Sequence, residues 1–193
     1  RALREQKVYE AQSVRSPSLH IPSISDLYPH LFDVSDLSML NPAVKVPEKE
    51  LKQVKLVIGV PAVERPQKAY LETTLSSLIF RAVPAHLNDI RIVVMLSHVN
   101  GSNAQFVRDT IRDLSEKFKE HLESGLIQII VPPTKWFPLD LSEIPPTFGD
   151  SKERMFWRTK QNLDYVYLMA FSLSMGRYYM QLEDDVEAAA RYT

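Results

Sequence analysis

Four short apolar runs, at 54–60, 90–96, 126–131 and 178–182, the first three rich in β-branched residues, alternate with segments of helical spacing. That alternation constrains the fold more than any other feature of the chain. A strand that returns parallel to its predecessor needs a crossover of a dozen or more residues, and the intervening segments supply helices to make it. Residues 67–81 carry Leu71, Leu75, Leu78 and Ile79 at helical spacing, and 104–122 set Phe106, Val107, Ile111, Leu114 and Phe118 on one face. Asp150 and Glu153 have capping-box spacing, which predicts a helix from about Ser151 to Met175. The expected class is α/β, with a mostly parallel sheet covered on both faces. In such a sheet the loops after the strands converge on one edge, here 61–65, 97–101 and 183–185.

At 193 residues and 45% hydrophobic content the chain can bury the core of one domain. A net charge of −1 gives no electrostatic case for nucleic acid or an anionic membrane surface. The absence of cysteine removes disulfides and thiolate zinc sites. No run of about 18 apolar residues is present, so nothing in the sequence spans a bilayer. The first residue is Arg1 rather than methionine, and the sequence reads as a fragment or a processed form. Asn100-Gly101-Ser102 is a glycosylation sequon, compatible with a lumenal address, which makes Asn100 a candidate acceptor.

Residues 1–50 form a stem interrupted by Pro17, Pro22, Pro29, Pro42 and Pro47. Ile21, Ile24, Leu27, Leu31 and Phe32 are too apolar for a free linker, so the stem is expected to dock against the domain at 51–193. His30 reads as a packing or surface residue. The long segment 132–149 mixes five prolines with Trp136, Phe137 and Phe148. Loops of this size are often functional, and it reads either as a lid or acceptor surface or as an excursion packed by its own aromatics.

The run 178–182 ends on Glu183-Asp184-Asp185. A strand opening onto clustered acids suits a divalent cation, because magnesium and manganese prefer oxygen ligands and phosphate-bound sites use few protein carboxylates. The alternative is a solvated acidic turn. Just upstream lie Lys152, Arg154, Arg158 and Lys160. Arg154 and Arg158 share a helical face, where like charges are unfavourable unless something negative neutralises them. The cluster is either a solvated basic face or one wall of a metal–diphosphate site.

The segments Phe148-Gly149-Asp150-Ser151-Lys152-Glu153-Arg154, Trp157-Arg158-Thr159-Lys160-Gln161-Asn162-Leu163-Asp164-Tyr165 and Gln181-Leu182-Glu183-Asp184-Asp185, with Tyr179, closely resemble the N-acetylglucosaminyltransferase IV family. Ile58-Gly59-Val60-Pro61 with Arg65, and Ile21-Pro22-Ser23 leading to Pro29-His30-Leu31, extend the resemblance from about Leu19 to the end of the chain. Family members commonly carry a cysteine where this chain has Val166. The resemblance implies the Rossmann-like nucleotide-sugar-binding half of a GT-A glycosyltransferase. It implies inverting transfer of N-acetylglucosamine from UDP-N-acetylglucosamine to a mannose of an N-glycan, forming a beta-1,4 branch. Glu183-Asp184-Asp185 then stands as the acidic "DxD" motif. Asp185 is expected to ligate manganese, with Glu183 and Asp184 on ribose hydroxyls or metal-bound water. Arg158 or Lys160 is expected at the phosphates, with Pro61 also lining the donor site. Arg65 is expected at the uracil or a phosphate, or simply as a surface arginine. Asn162 and Asp164 either orient the ribose or act as local helix-side partners, while Trp157 and Tyr165 are core or pocket wall.

The catalytic base is expected beyond Thr193, so transfer by these 193 residues alone is not expected. The implied setting is the Golgi lumen, on a type II protein anchored upstream of this chain. The alternative is a non-catalytic relative that associates with and modulates another Golgi transferase. An apolar surface is also expected where a second half would dock.

Overall fold

All four apolar runs form strands, and the computed structural model describes them within residues 40–65, 70–138, 140–141 and 144–193. In chain order the strands are β1 (Val44–Val46), β2 (Val54–Ala62), β3 (Ile90–Leu96), β4 (Ile127–Val131) and β5 (Gly176–Gln181). The helices are α1 (Leu71–Phe80), α2 (Gln105–Lys117), α3 (Lys119–Ser124) and α4 (Lys152–Ser172). The sheet runs β1-β4-β3-β2-β5. Its four longer strands are parallel, and β1 is antiparallel to β4.

The chain steps outward from β2 to β3 to β4, then crosses back to lay β5 on the other side of β2. That reversal opens a crevice beyond the carboxyl ends of β2 and β5, the place where ligands collect in sheets of this kind. Side-chain alternation divides the core in two. Ile58, Val60, Ile92 and Val94 pack with Leu75 and Leu78 of α1 and Val107 and Leu114 of α2. Val57, Val93 and Met95 pack on the opposite face with Leu163, Tyr167 and Leu168 of α4. β3 and β4 are buried along their whole length, as expected for parallel strands covered twice.

Two details differ from the sequence reading. Val44–Val46 lie in the segment assigned to the stem, yet they add an edge strand to the sheet. Leu40 is also buried, and its carbonyl accepts a hydrogen bond from Tyr167 Oη at 2.9 Å. Residues 1–39, with the other proposed docking groups and His30, lie outside the described residues. The single helix expected over 104–122 divides at Phe118, whose φ of −113° and ψ of 27° are not helical. Phe118 and Leu122 both enter the core. The second piece ends at Gly125, in the left-handed region at φ 82°, where an added Cβ would meet Leu51 Cδ2 at 2.7 Å.

Segment 132–149 resolves toward packing where it is described. Trp136, Phe137 and Leu141 are buried beside α4, while Phe148 is 94% exposed. β5 borders the sheet and leaves Tyr178 and Met180 exposed, and Met169 and Leu173 at the end of α4 are exposed as well.

The cap of α4 is Ser151 itself, one residue after the expected Asp150. Its Oγ accepts the Arg154 backbone N–H at 3.3 Å. Ser151→Ala should therefore cost about 1 kcal/mol, read as a lower urea midpoint with an unchanged m-value.

Candidate functional site

A cleft of about 590 Å³ opens at the reversal point, between the end of β2, the first half of α4 and the turn after β5. Pro61, Arg65, Arg158, Lys160, Glu183 and Asp184, all singled out from the sequence, line it. Trp157 and Tyr165 form part of its wall. The β3 loop approaches the same edge, where His98 Nε2 lies 3.7 Å from Glu64 Oε2.

The acidic residues lie beyond β5, which ends at Gln181, so strand alternation does not set their directions. Asp184 is buried and Asp185 is exposed. Arg65 Nη2 stands 2.5 Å from Asp184 Oδ1 and 3.4 Å from Asp185 Oδ2. The hydrogen bond to Asp184 and the two carboxylate charges hold the Arg65 guanidinium above its ordinary range, against some desolvation. Thr74 of α1 fixes the backbone of the turn, with Oγ1 2.8 Å from Asp184 O and 2.9 Å from Val186 O. Glu183 is exposed, and Tyr165 Oη lies 3.5 Å from its Oε1. Burial and the Glu183 charge both push the Tyr165 phenol above its ordinary range.

The basic face of α4 has its own counter-ion. Asp150 Oδ1 lies 3.0 Å from Arg154 Nε, and Asp150 Oδ2 pairs with Arg158 Nη1. Arg158 also lies over the Phe148 ring, 6.0 Å from its centroid. Two arginines four residues apart are thus tolerated because one carboxylate bridges them.

Lys160 has a different setting from Arg158. It is 5% exposed, and Nζ donates to Asp164 Oδ2 at 2.7 Å and to Ser97 Oγ at 2.6 Å. Ser97 Oγ in turn donates to Asp164 Oδ1 at 2.5 Å. Burial pushes the Asp164 carboxyl above its ordinary range, with the Lys160 ammonium and the hydrogen bonds from Lys160 and Ser97 pulling it back. The ammonium is therefore already neutralised at the floor of the cleft. Arg158, though paired with Asp150, is exposed, so it is the more accessible cation of the two. Asp164 is the i,i+4 partner of Lys160, the local role weighed for it from the sequence.

Asn100 is exposed in the loop after β3 and begins a short turn, its backbone N–H donating to His98 Nδ1 at 3.0 Å. The sequence reading placed Ser97 in the 97–101 edge loop without a role for its side chain, and it missed Thr74 altogether. Ser97 is the first residue past β3, and a polar residue at a strand's carboxyl end was the available signal. Thr74 lies inside a helix and gave none.

Among the described residues no three His, Cys, Asp or Glu side chains converge into a metal cage. A phosphate-bound magnesium or manganese ion uses only one or two carboxylates. Asp184 is engaged by Arg65, whereas Asp185 is exposed with only the longer contact, so the donor set fits a cation held mainly through Asp185 and phosphate.

The family model described as "MGAT4 conserved region" matches residues 19–193. Alpha-1,3-mannosyl-glycoprotein 4-beta-N-acetylglucosaminyltransferase A of Bos taurus is 41% identical over 175 residues, covering 91% of this chain. The B form of Danio rerio is 42% identical over 174 residues, covering 90% of this chain. The chain spans only 31% and 30% of the lengths of these two relatives. No solved structure matches.

Proposed function

The chain belongs to the MGAT4 conserved-region family, and on that premise we propose that it forms the donor-binding part of an inverting N-acetylglucosaminyltransferase. Its donor is UDP-N-acetylglucosamine, and its acceptor is a mannose of an N-glycan that receives a beta-1,4 branch. The observation that carries this reading is the meeting of Arg65, Arg158, Glu183 and Asp184 around one cleft at the reversal point of the sheet, with Asp185 outside the lining and joined to it through Arg65. The parallel order β4-β3-β2-β5 supports a Rossmann-like, GT-A-type reading, because it matches the first four strands of the doubly wound order, 3-2-1-4.

Cleaving the sugar–phosphate bond leaves negative charge on the nucleoside diphosphate. Arg65 and Arg158 stabilise that charge as it develops, most effectively where the cleft limits water. Glu183, beside Tyr165, is the acceptor for ribose hydroxyls. Asp184 and Thr74 hold the turn in place. A divalent cation, most suitably manganese, would be held by Asp185 and would supply further charge neutralisation at the diphosphate. The setting proposed with this activity is the Golgi lumen, on a membrane-anchored polypeptide. Among the described residues no helix is long and apolar enough to cross a membrane.

Calorimetry with UDP tests the reading. Asp185→Asn should weaken UDP binding in manganese by about 100-fold, toward the upper end of the usual coupling between two ligands. With chelator present, the variant should bind UDP no more weakly than the unaltered chain, because the cation is then absent from both. Unchanged manganese-dependent affinity in the variant defeats the assignment of Asp185.

A further inference from the structure

We propose that Arg65 couples cation binding to nucleotide binding, contesting Asp185 until a diphosphate draws its guanidinium away. This rests on the donor-binding reading and concerns the order in which that site fills.

One nitrogen, Nη2, makes both acidic contacts, and the two are unequal. Its Asp184 partner lies at 2.5 Å and is 5% exposed, so losing that cation would leave a buried carboxylate uncompensated. Its Asp185 partner lies at 3.4 Å and is exposed, where a single ion pair is weak and easily exchanged. Asp184 therefore anchors the guanidinium and Asp185 is the contact it can release. The turn itself need not move, because the Thr74 hydroxyl, its one proton within reach of the Asp184 and Val186 carbonyls, ties its backbone to α1. Releasing Asp185 requires only a side-chain adjustment.

A divalent cation arriving alone at Asp185 meets a positive charge already beside that carboxylate. A diphosphate changes the balance. The guanidinium carries five N–H donors in a rigid fork suited to phosphate oxygens, so it can keep Asp184 and turn a further donor to the nucleotide. Asp185 is then left to the cation. By linkage, UDP must raise manganese affinity by the same factor by which manganese raises UDP affinity. Part of that factor comes from the cation touching phosphate directly, and the remainder belongs to Arg65.

The test is a manganese titration of the 193-residue chain followed by the electron paramagnetic resonance signal of free ion, with and without UDP. Arg65→Gln should bind manganese alone about fivefold to tenfold more tightly, and the UDP enhancement should shrink by a similar factor, within the usual span of coupling between sites. Asp185→Asn should lose manganese in both conditions. If Asp185→Asn loses the ion while Arg65→Gln keeps unaltered affinity and coupling, the inference fails and the donor-site reading stands. If Asp185→Asn retains UDP-dependent manganese binding, the reading beneath it fails. Because Arg65→Gln strips Asp184 of its partner and risks misfolding, a second measurement uses the unaltered chain. The side-chain ¹⁵N resonance of Arg65 should move with magnesium and UDP together but not with magnesium alone, and a resonance indifferent to both overturns the proposal.

Discussion

Replacing Asp164 with alanine should cost the fold about 3–5 kcal/mol, because Lys160 would be left as a buried, unpaired charge. The native arrangement is closed on itself. Lys160 Nζ reaches Asp164 Oδ2 and Ser97 Oγ, and Ser97 Oγ completes the ring to Asp164 Oδ1. Ser97 is also fixed through its backbone, whose N–H donates to Ala62 O at 2.9 Å. The network thus joins the ends of β2 and β3 to the middle of α4. Urea unfolding of Asp164→Ala should show a sharply lowered midpoint, and Lys160→Met should be comparably destabilised by orphaning the carboxylate. Combining Lys160→Met, Asp164→Leu and Ser97→Ala should recover most of the loss, since apolar groups of similar volume can replace a buried ion pair at little cost. Additive losses in the combined variant would show that the three side chains do not act as one network.

The same triad shows where sequence reading stops. Lys160 and Asp164 stand four apart on a helix, so their pairing was legible as a local option. Their burial was not. It depends on α4 lying against β3, and on Phe137 folding over them with its ring centroid 5.5 Å from Lys160 Nζ. Ser97 lies 63 residues from Lys160 in the chain, beyond any periodic signal. β2, β3 and β4 were legible as β-branched runs, and β5 as an aromatic and apolar run that ends on the acidic cluster. β1 was not, since three residues before Pro47 resemble any extended stem segment. Strand order was not legible either, because periodicity reports faces and not neighbours. The edge loops were nonetheless paired correctly, since parallel strands send all their carboxyl ends one way. The acidic turn was legible as a cluster, but the division into a buried Asp184 and an exposed Asp185 comes from Arg65 and Thr74, which approach from elsewhere in the chain.

Trp136→Ala is the second large effect, expected to cost about 3–5 kcal/mol as a cavity at a fully buried aromatic. The indole meets the Tyr167 ring edge-on, with centroids 5.1 Å apart and planes at 65°. Its Nε1–H donates to Leu163 O at 3.0 Å, so the truncation also removes a hydrogen bond to α4. For a chain of this size the melting temperature should fall on the order of 10 °C. Trp136→Phe, which keeps most of the volume but drops the donor, should lose markedly less. The pair of variants also decides between the two roles open to segment 132–149. A packed excursion should give a stability loss that tracks the volume removed, with UDP affinity near normal in the folded Trp136→Phe chain. A lid should do the reverse, leaving the melting temperature almost untouched while weakening the nucleotide complex. Burial of Trp136, Phe137 and Leu141 against α4 makes the first outcome the expected one. The exposed Phe148 is then the aromatic of this segment left for the cleft side, where Arg158 already lies over its ring. Phe148→Ala should accordingly leave the melting temperature within about 1 °C, in keeping with a surface substitution away from the core.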